Sequence, residues 1–533
     1  MIDRLMRGAA LAALGLTVSA LVAGQALAAT PKDTVVMAKT MDDITSLDPA
    51  EVFEFTGGEV INNVYVRLMT YDPADFTKLI GGAAESWSVS DDGKTFTIKM
   101  RQGMKFTTGR PVTAKDAAFS LQRVVALGKS PAFILVQFGW TADNVKEMVT
   151  APDDQTLVLK MGTAFAPSFV MNCLSAGVGS VVDSEEALKN AKDNDFGYNW
   201  LRTNSAGSGA YKLVSWKPKE SVVLESNPGF YRGEAKTKRV IIRHVPEPTA
   251  QRLMLEKGDA DIARNLTADQ LKAVSADAKL AVNSTGKGTI YYLALNQKNQ
   301  HLQKPKVREA VRWLIDYQTM SSTFLAGQYG VHQGFWGKGS AGSLDDTPFK
   351  FDPAKAKALL AEAGYPNGLE LELDAGNTSP HADIAQSVQS TFAQAGIKVN
   401  IVPGDIRQVL TKYRARNHQL LLMYWSPDYL DPHSTADFFT NNPDNSDGAK
   451  AKTGAWRNAW DIPDLTKETA AAVLERDPQK RIGMYLDLQK KVQADGPIVV
   501  MFQQTEVAAL RAEVKNFILG PSFDTPVYWQ ITK

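Results

Sequence analysis

The sequence has 533 residues, 44% of them hydrophobic and 22% charged, so it is long enough for two or three domains with separate cores. Lys and Arg number 59 and Asp and Glu 58, and this balance argues against nucleic acid or an acidic membrane as the main partner. The one cysteine, Cys173, excludes an intramolecular disulfide, so stability must rest on buried apolar area. We interpret Cys173 as a core residue and not as a nucleophile.

The first 29 residues predict a cleaved secretory signal peptide. Arg4 and Arg7 precede an apolar run over residues 9–22, and the small-residue site 26–28 stands before Ala29. A membrane anchor is the rival interpretation, but the run is shorter than the roughly 20 residues that a spanning helix needs. No cysteine follows the cleavage site, so no lipid anchor is expected. We therefore expect a free periplasmic protein that begins near residue 30.

The first half of the remaining chain carries strand patterns and one well-marked helix. Residues 95–100 alternate after a turn at 91–93, which predicts a half-buried strand leaving a hairpin. Thr113 and Asp116 have capping-box spacing before an apolar stripe, which predicts a helix. Further strands are predicted at 221–224 and 240–242.

The second half alternates between helices and strands. Apolar residues recur at helical spacing between 305 and 320, and a second helix is predicted from Asp352 as N-cap to Gly364. A further helical stripe over 384–395 stops at Gly396, and residues 397–401 predict the strand that follows. No linker rich in Gly, Ser or Pro separates independent domains, so we expect lobes that are joined by short crossover strands.

Local signatures of catalysis, cofactor binding or metal binding are missing. Residues 337–342 match G-x-G-x-x-G, but no buried strand precedes them and no helix opening follows, so a flexible loop is expected. No G-x-S-x-G element occurs, although a triad assembled from distant segments stays open. The six histidines lack metal-ligand spacing and stand at positions 244, 301, 332, 381, 418 and 433. We therefore predict a protein without catalytic residues, cofactor or metal.

Many segments, read in order, carry a family pattern. They include residues 46–50, 84–87, 92–97, 101–106, 109–116, 207–213, 258–262, 307–310, 352–356 and 425–432. In this pattern the chain resembles the family 5 extracytoplasmic solute-binding proteins of ABC importers, which include dipeptide, oligopeptide and nickel receptors. The resemblance spans nearly the whole mature chain.

The resemblance implies an α/β, two-lobed periplasmic-binding-protein fold of type II, similar to cluster C, with an extra subdomain inserted in the first lobe and a hinge between the lobes. The expected parts are the signal peptide (1–29), lobe I (30–77, 205–287 and 503–533), the inserted subdomain (78–204) and lobe II (288–502). It also implies a monomer that captures a small ligand between its lobes. The ligand then passes to an inner-membrane ABC permease with its ATPase subunits.

The resemblance assigns ligand contacts near the end of lobe II. In peptide-binding members, an aspartate at the position of Asp428 takes the ligand's α-ammonium group, and the rival interpretation is a turn cap before Asp431. Trp425 matches an aromatic residue that forms a wall of the pocket, with Tyr424 and Tyr429 beside it. Each of these rings is also compatible with a plain core position.

Two further contacts are expected elsewhere in the chain. The loop 54–57, with Glu54, Phe55 and Thr56, falls where family members touch the ligand from lobe I. Trp336 is a candidate for stacking on the ligand, but we favour packing between the lobes.

The sequence departs from dipeptide receptors at the ligand carboxylate. No arginine stands within 374–379 or within 420–423, where a bidentate clamp is expected. Longer peptides held through their backbone, or another amine such as an opine or an amino-sugar derivative, therefore stay open. The rivals to a peptide receptor are a receptor for an opine, oligosaccharide or metal complex, a secreted hydrolase, and a periplasmic chaperone or sensor.

Overall fold

The computed structural model describes residues 30–533, and the predicted signal peptide lies outside these described residues. The strands are β1 (Thr34–Lys39), β2 (Met69–Asp72), β3 (Asp75–Gly81), β4 (Ala84–Val89), β5 (Thr95–Met100), β6 (Val149–Thr150), β7 (Thr156–Lys160), β8 (Tyr211–Lys217), β9 (Ser221–Ser226), β10 (Arg239–His244), β11 (Ile262–Ala263), β12 (Leu280–Leu295), β13 (Tyr329–Val331), β14 (Leu369–Gly376), β15 (Ile397–Gly404), β16 (Leu420–Trp425) and β17 (Ile498–Arg511).

The helices alternate with these strands. They are α1 (Phe55–Val64), α2 (Ala114–Leu127), α3 (Phe133–Val136), α4 (Val145–Met148), α5 (Pro167–Cys173), α6 (Ser184–Lys189), α7 (Tyr198–Leu201), α8 (Pro248–Lys257), α9 (Ala268–Ser275), α10 (Pro305–Trp313), α11 (Tyr317–Ser322), α12 (Pro353–Glu362), α13 (His381–Ala393), α14 (Ile406–Arg414), α15 (Pro432–Thr440), α16 (Gly454–Arg457), α17 (Pro463–Leu474) and α18 (Pro478–Asp495).

One eleven-stranded sheet runs through both lobes. Its order is β15-β14-β16-β12-β17-β11-β1-β10-β9-β8, with β13 also paired to β17. Lobe I is built on β1 and β8–β11, and lobe II is built on β14–β16. The antiparallel strands β12 and β17 cross between the lobes. The predicted α/β class and the two lobes are therefore confirmed.

Lobe II buries its central strand on both faces. Leu420 and Leu422 on β16 pack into one apolar cluster, while Leu421 and Met423 pack into another on the opposite face. Successive side chains on a strand point to opposite faces, so a run of apolar residues without alternation marks a strand that is covered on both sides. Helix α13 joins the parallel strands β14 and β15 and supplies part of this cover.

The inserted subdomain contains a separate four-stranded sheet, β4-β5-β7-β6. Phe96, Ile98 and Met100 on β5 are buried, as the alternating pattern predicted. Helix α2 begins at the predicted capping box, in which Thr113 and Asp116 bond each other reciprocally. Cys173 is fully buried in the adjoining core, which confirms its structural interpretation.

Two predictions about chain connections were wrong. The helical pattern of 305–320 is broken between α10 and α11, because the Asp316 side chain accepts from the Thr319 N–H and caps a new helix. The crossover strands are long, not short: β12 has 16 residues and β17 has 14. They pair with each other in both lobes, with register shifts between Gly286 and Ile290 and between Tyr291 and Tyr292.

No single helix of residues 30–533 has both the length and the apolar composition to cross a membrane. One pair, 114–127 with 130–136, satisfies both criteria together but bends by 112°.

A buried group of charges lies where the two crossover strands enter lobe I. We call Lys39, Glu59, Arg264, Lys287 and Glu506 the crossover ion cluster. Glu59 on α1 pairs with Lys39 and lies 2.6 Å from Arg264, and the Tyr528 hydroxyl donates to it at 2.6 Å. Glu506 on β17 pairs with Arg264 and lies 2.6 Å from Lys287 on β12. The cluster thus joins five separate segments of the chain.

The electrostatics of this cluster favour the ionised form of Glu59, whereas burial lowers the pKa of Lys39 and of Lys287. Burial opposes the ionisation of Glu59, but Arg264 and Lys39 outweigh burial and hold the pKa of Glu59 well below its usual range. Lys287 also donates to the carbonyls of Gly520 and Ser522 at 2.9 and 2.8 Å, which fastens the C-terminal segment to β12. A neutral partner would leave buried cations without compensation.

We predict that Glu59→Gln lowers the free energy of unfolding by about 3–5 kcal/mol at pH 7, because it leaves Lys39 without its counter-charge and Arg264 with Glu506 alone in the interior. A carboxyl group whose pKa is lowered by folding stabilises the fold above its unfolded-state pKa. The difference in unfolding free energy between wild type and Glu59→Gln should therefore shrink as the pH falls below about 5. Urea unfolding measures both effects. Asp464→Asn is the control, because its carboxylate is exposed and lies 3.8 Å from Lys467. Equal losses in the two variants would contradict the role of the cluster.

Candidate functional site

A cavity of about 390 Å³ lies between the lobes, and we call it the main cleft. Lobe II contributes residues 423–428 and parts of α14, α15 and α16, and lobe I contributes Phe53, Phe55 and Phe523. The volume suits a small-molecule ligand. The cleft lies beside the carboxyl end of β16, where ligands of open α/β sheets commonly bind.

The segment after β16 is held close to the crossover. A Cβ atom added to Gly288 on β12 would lie only 2.9 Å from Pro427 Cγ, so this approach requires glycine. Thr289 and Ser426 also share a hydrogen bond of 2.7 Å between their hydroxyls. The segment that carries Asp428 therefore contacts β12, one of the two strands that cross between the lobes.

Asp428 has a carboxylate without a partner. Its backbone N–H donates to the Ser434 hydroxyl at 2.8 Å, but within residues 30–533 nothing donates to or pairs with its side chain. Burial, and then the neighbouring Asp437 charge, raise the pKa of Asp428 to about 7. The carboxyl group is poised to bind a cation that the chain itself does not supply.

Stacked aromatic rings form one wall of the main cleft. Trp425 and Phe438 lie parallel, with centroids 3.6 Å apart and an interplanar angle of 7°. Tyr424 stacks on Tyr291 at 5.5 Å. The Trp425 Nε1–H is buried and finds no acceptor in the described part of the chain. This wall offers apolar surface with one unused donor.

Lobe I closes the cleft with phenylalanines. Phe55, at the start of α1, is 46% exposed and meets Phe523 edge-to-face at 5.5 Å. Phe53 meets the same ring at 6.2 Å. Phe523 belongs to the C-terminal segment that Lys287 fastens, so the position of this wall depends on the crossover ion cluster.

A second cavity of about 350 Å³ adjoins the main cleft and shares Phe55 and Phe523 with it. The crossover ion cluster lines its floor, together with Thr289 and Tyr329. The charges there pair with one another. The main cleft differs in this respect. Its lining contains Asp428, Arg407, Arg414 and Arg457, and none of these four has an ion-pair partner among the described residues.

Across residues 30–533 no group of three or more His, Cys, Asp or Glu side chains is placed to hold a metal ion.

Comparison with known proteins decides the family. Residues 78–447 match the family "Bacterial extracellular solute-binding proteins, family 5 Middle". The chain is 30% identical over 508 residues to the "Probable D,D-dipeptide-binding periplasmic protein DdpA" of Escherichia coli K12, covering 93% of each protein. The chain belongs to family 5 of the bacterial extracellular solute-binding proteins.

Other family 5 relatives cover as much of the chain. The glutathione-binding protein GsiB of Pectobacterium atrosepticum is 27% identical over 527 residues, with 96% of each protein covered. The structure of a dipeptide-binding protein from Pseudoalteromonas sp. SM9913 in complex with Met-Leu superposes with a TM-score of 0.76 at 21% identity, covering 94% of this chain and 100% of that one. The family and fold predicted from the sequence are thus confirmed.

Four of the residues that the family resemblance singled out meet in the main cleft. Asp428, Trp425 and Tyr424 line it from lobe II, and Phe55 lines it from lobe I. The structure therefore brings together residues that are more than 350 positions apart in the chain.

The other four lie elsewhere. Tyr429 is buried and packs against Phe169 of the inserted subdomain, with centroids 5.9 Å apart. The expected loop at 54–57 is wrong, because helix α1 begins at Phe55. Glu54 precedes this helix and accepts from the Thr45 hydroxyl, and Thr56 is buried within it. Trp336 is buried in a lobe II core and faces a separate cavity of about 260 Å³. Packing between the lobes, the alternative that we favoured for Trp336, stays a prediction.

Sequence reasoning missed several residues that line the main cleft, including Arg407, Arg414, Arg457 and Phe523. Arg407 and Arg414 are seven residues apart on α14, which places them on one helix face. That spacing was visible, but nothing local showed that this face adjoins Trp425. Phe523 reaches the cleft only because the C-terminal segment returns to lobe I.

We predict that Asp428→Asn stabilises the unliganded protein by roughly 2 kcal/mol at pH 8, because an ionised, partly buried carboxylate without a partner is lost. The folded pKa lies above the unfolded one, so the gain should be absent below about pH 4, grow between pH 4 and 7, and level off above pH 7. Urea titrations of both proteins across this range measure it. A difference that does not change with pH would show that Asp428 is not held in an unfavourable ionised state.

Proposed function

We propose that this protein is the periplasmic binding component of an ABC importer, and that it captures a short peptide or related amino-bearing solute in the main cleft. The observation that carries the proposal is the Asp428 carboxylate, which faces an aromatic cavity without a protein partner. An ammonium group on the ligand would complete a charge-assisted hydrogen bond that neither group makes alone at low cost.

The relatives favour a peptide over other amines. A D,D-dipeptide and glutathione appear in the names of two relatives, and Met-Leu is the ligand of the similar structure. The aromatic wall suits such a ligand because the stacked rings of Trp425 and Phe438 present a large apolar face. The ligand's side chains would rest against this wall and against Phe55 and Phe523.

Closure of the lobes would seal the cleft. The hinge would lie where β12 and β17 change register, near residues 286–290 and 503–505, and these shifts support lobe boundaries at 287/288 and 502/503. The parts are then 30–77, 205–287 and 503–533 for lobe I, 78–204 for the inserted subdomain and 288–502 for lobe II. A ligand stabilises the closed state by its greater affinity for that state.

The proposed role includes a location and a partner. The signal peptide would be cleaved near residue 29, and the mature protein would deliver its ligand as a monomer to an inner-membrane permease with ATPase subunits. It would act without catalysis, by binding and release alone. The family assignment and the periplasmic names of relatives support this role.

A non-peptide solute is the second candidate. At 374–379, where dipeptide receptors place a carboxylate-binding arginine, Asp374 instead pairs with Lys412. An oligosaccharide would not need that arginine, and an opine or a metal complex is the other non-peptide alternative.

We predict that protein purified from the periplasm and then denatured releases a bound peptide, which mass spectrometry of the small-molecule fraction identifies. Peptides with a free amino terminus would support the proposal. A sugar, an opine or a metal chelate would retain the transport function and overturn the peptide assignment, and hydrolysis of added peptides by the pure protein would overturn the binding role.

We further predict that Asp428→Asn weakens binding of the released compound by roughly 2–5 kcal/mol in calorimetry, because the ligand's ammonium loses its counter-charge. Wild-type affinity should also fall below pH 7 as Asp428 becomes protonated. Glu54→Gln is the matched control, since Glu54 does not line the cleft. An unchanged affinity of Asp428→Asn would contradict the proposed contact between Asp428 and an ammonium group of the ligand.

A further inference from the structure

The main cleft carries an excess of positive charge. Its lining contains one carboxylate, Asp428, and three guanidinium groups, those of Arg407, Arg414 and Arg457. None of the three arginines forms an ion pair with a residue in the described range. A cleft with this balance is completed by a ligand that brings more negative than positive charge.

Arg457 is the best positioned of the three. Its Nε–H donates to the Lys452 carbonyl at 3.1 Å, and its guanidinium lies over the Tyr413 and Phe438 rings at 5.2 and 5.0 Å. Burial lowers the pKa of Arg457. Its terminal amino groups meet no acceptor in residues 30–533. The rings and the Lys452 carbonyl thus hold a planar fork ready for a carboxylate, which it binds with two parallel hydrogen bonds.

Phe438 contacts both Trp425 and Arg457 in the lining of the main cleft, which also contains Asp428. Trp425 stacks on the Phe438 ring, and the Arg457 guanidinium lies over the same ring at 5.0 Å. A ligand that extends along this aromatic wall would place an ammonium at Asp428 and a carboxylate at Arg457.

Arg407 and Arg414 add two exposed positive charges to the lining of the main cleft. Both are exposed, and they stand two turns apart on one face of α14, roughly 10 Å along its axis. Exposed charges attract ligands at long range more than they hold them, and salt screens this attraction. Because the three positive charges of the lining exceed the single negative charge of Asp428, the cleft favours a ligand with a second negative group.

We propose that the main cleft selects acidic peptides, with Arg457 binding a ligand carboxylate and with Arg407 and Arg414 favouring a net negative ligand. This inference rests on the proposed function. It also supplies the carboxylate-binding group that was missing at 374–379 and 420–423.

The test uses an equimolar pool of synthetic dipeptides and tripeptides with free termini, retained on the immobilised protein and identified by mass spectrometry. Wild-type protein should retain peptides with Asp or Glu side chains over matched Asn, Gln or Lys peptides. Arg457→Gln should weaken the binding of a retained acidic peptide about 10- to 100-fold in calorimetry, since one charged hydrogen-bonding partner is lost. Arg457→Lys should restore part of that loss.

Two kinds of control separate the outcomes. Arg243→Gln removes an exposed arginine of lobe I without an ion pair in the described chain and should change nothing, whereas Arg407→Gln and Arg414→Gln should each cost about two- to fivefold at low salt. Retention of peptides without preference for acidic ones, or a preference that persists in Arg457→Gln, would overturn the inference but keep the proposed function. Retention of no peptide would overturn both the inference and the peptide assignment.

Discussion

The two lobes depend on one buried ion pair, that of Glu59 and Arg264. Glu59 stands on the first helix of lobe I, and Arg264 carries the contact on to Glu506 of a crossover strand. Lys287 on the other crossover strand adds the C-terminal segment through backbone carbonyls. Because desolvated charges tolerate little change in geometry, this cluster fixes where the strands leave lobe I. The proposed hinge, near residues 286–290 and 503–505, lies next to this cluster, and Lys287 fastens the segment that carries Phe523 of the main cleft.

Phe55 and Phe523 line two neighbouring cavities, and the charged residues of these cavities differ in whether they are paired. Beside the crossover, cations and carboxylates neutralise one another and hold the fold together. In the main cleft, Asp428 and Arg457 have no ion-pair partner among the described residues, and the protein bears the cost of keeping these two charges partly desolvated. Under the proposed function, a ligand of complementary charge would remove this cost, and its binding energy would then be available to hold the lobes closed. The charges that stabilise the fold and the charges proposed to bind the ligand would thus form neighbouring but separate sets.

Short sequence patterns predicted the structure correctly where it depends on residues that are close together in the sequence. The strand at 95–100 and the capping box of Thr113 and Asp116 involve residues within one turn or one strand, and both were predicted. The break at Asp316 was missed because buried Leu314 and Ile315 continue the helical spacing although the backbone does not. Family resemblance located Asp428 and Trp425. Arg457 and Phe523 stayed hidden, because their place in the cleft is set by tertiary contacts with distant segments, which no short pattern encodes.

The path of the chain through the fold has a consequence for folding order. Lobe II is one continuous stretch between the crossover strands, so its contacts are comparatively local. Lobe I packs Val35 and Met37 near its beginning against a core that also holds Tyr528 and Ile531 near the end. Such contacts close loops of nearly 500 residues, which is slow and entropically costly. During synthesis, lobe II has all of its residues before lobe I does, so the newly made chain exposes an unfinished apolar surface of lobe I until the segment with Tyr528 and Ile531 is made.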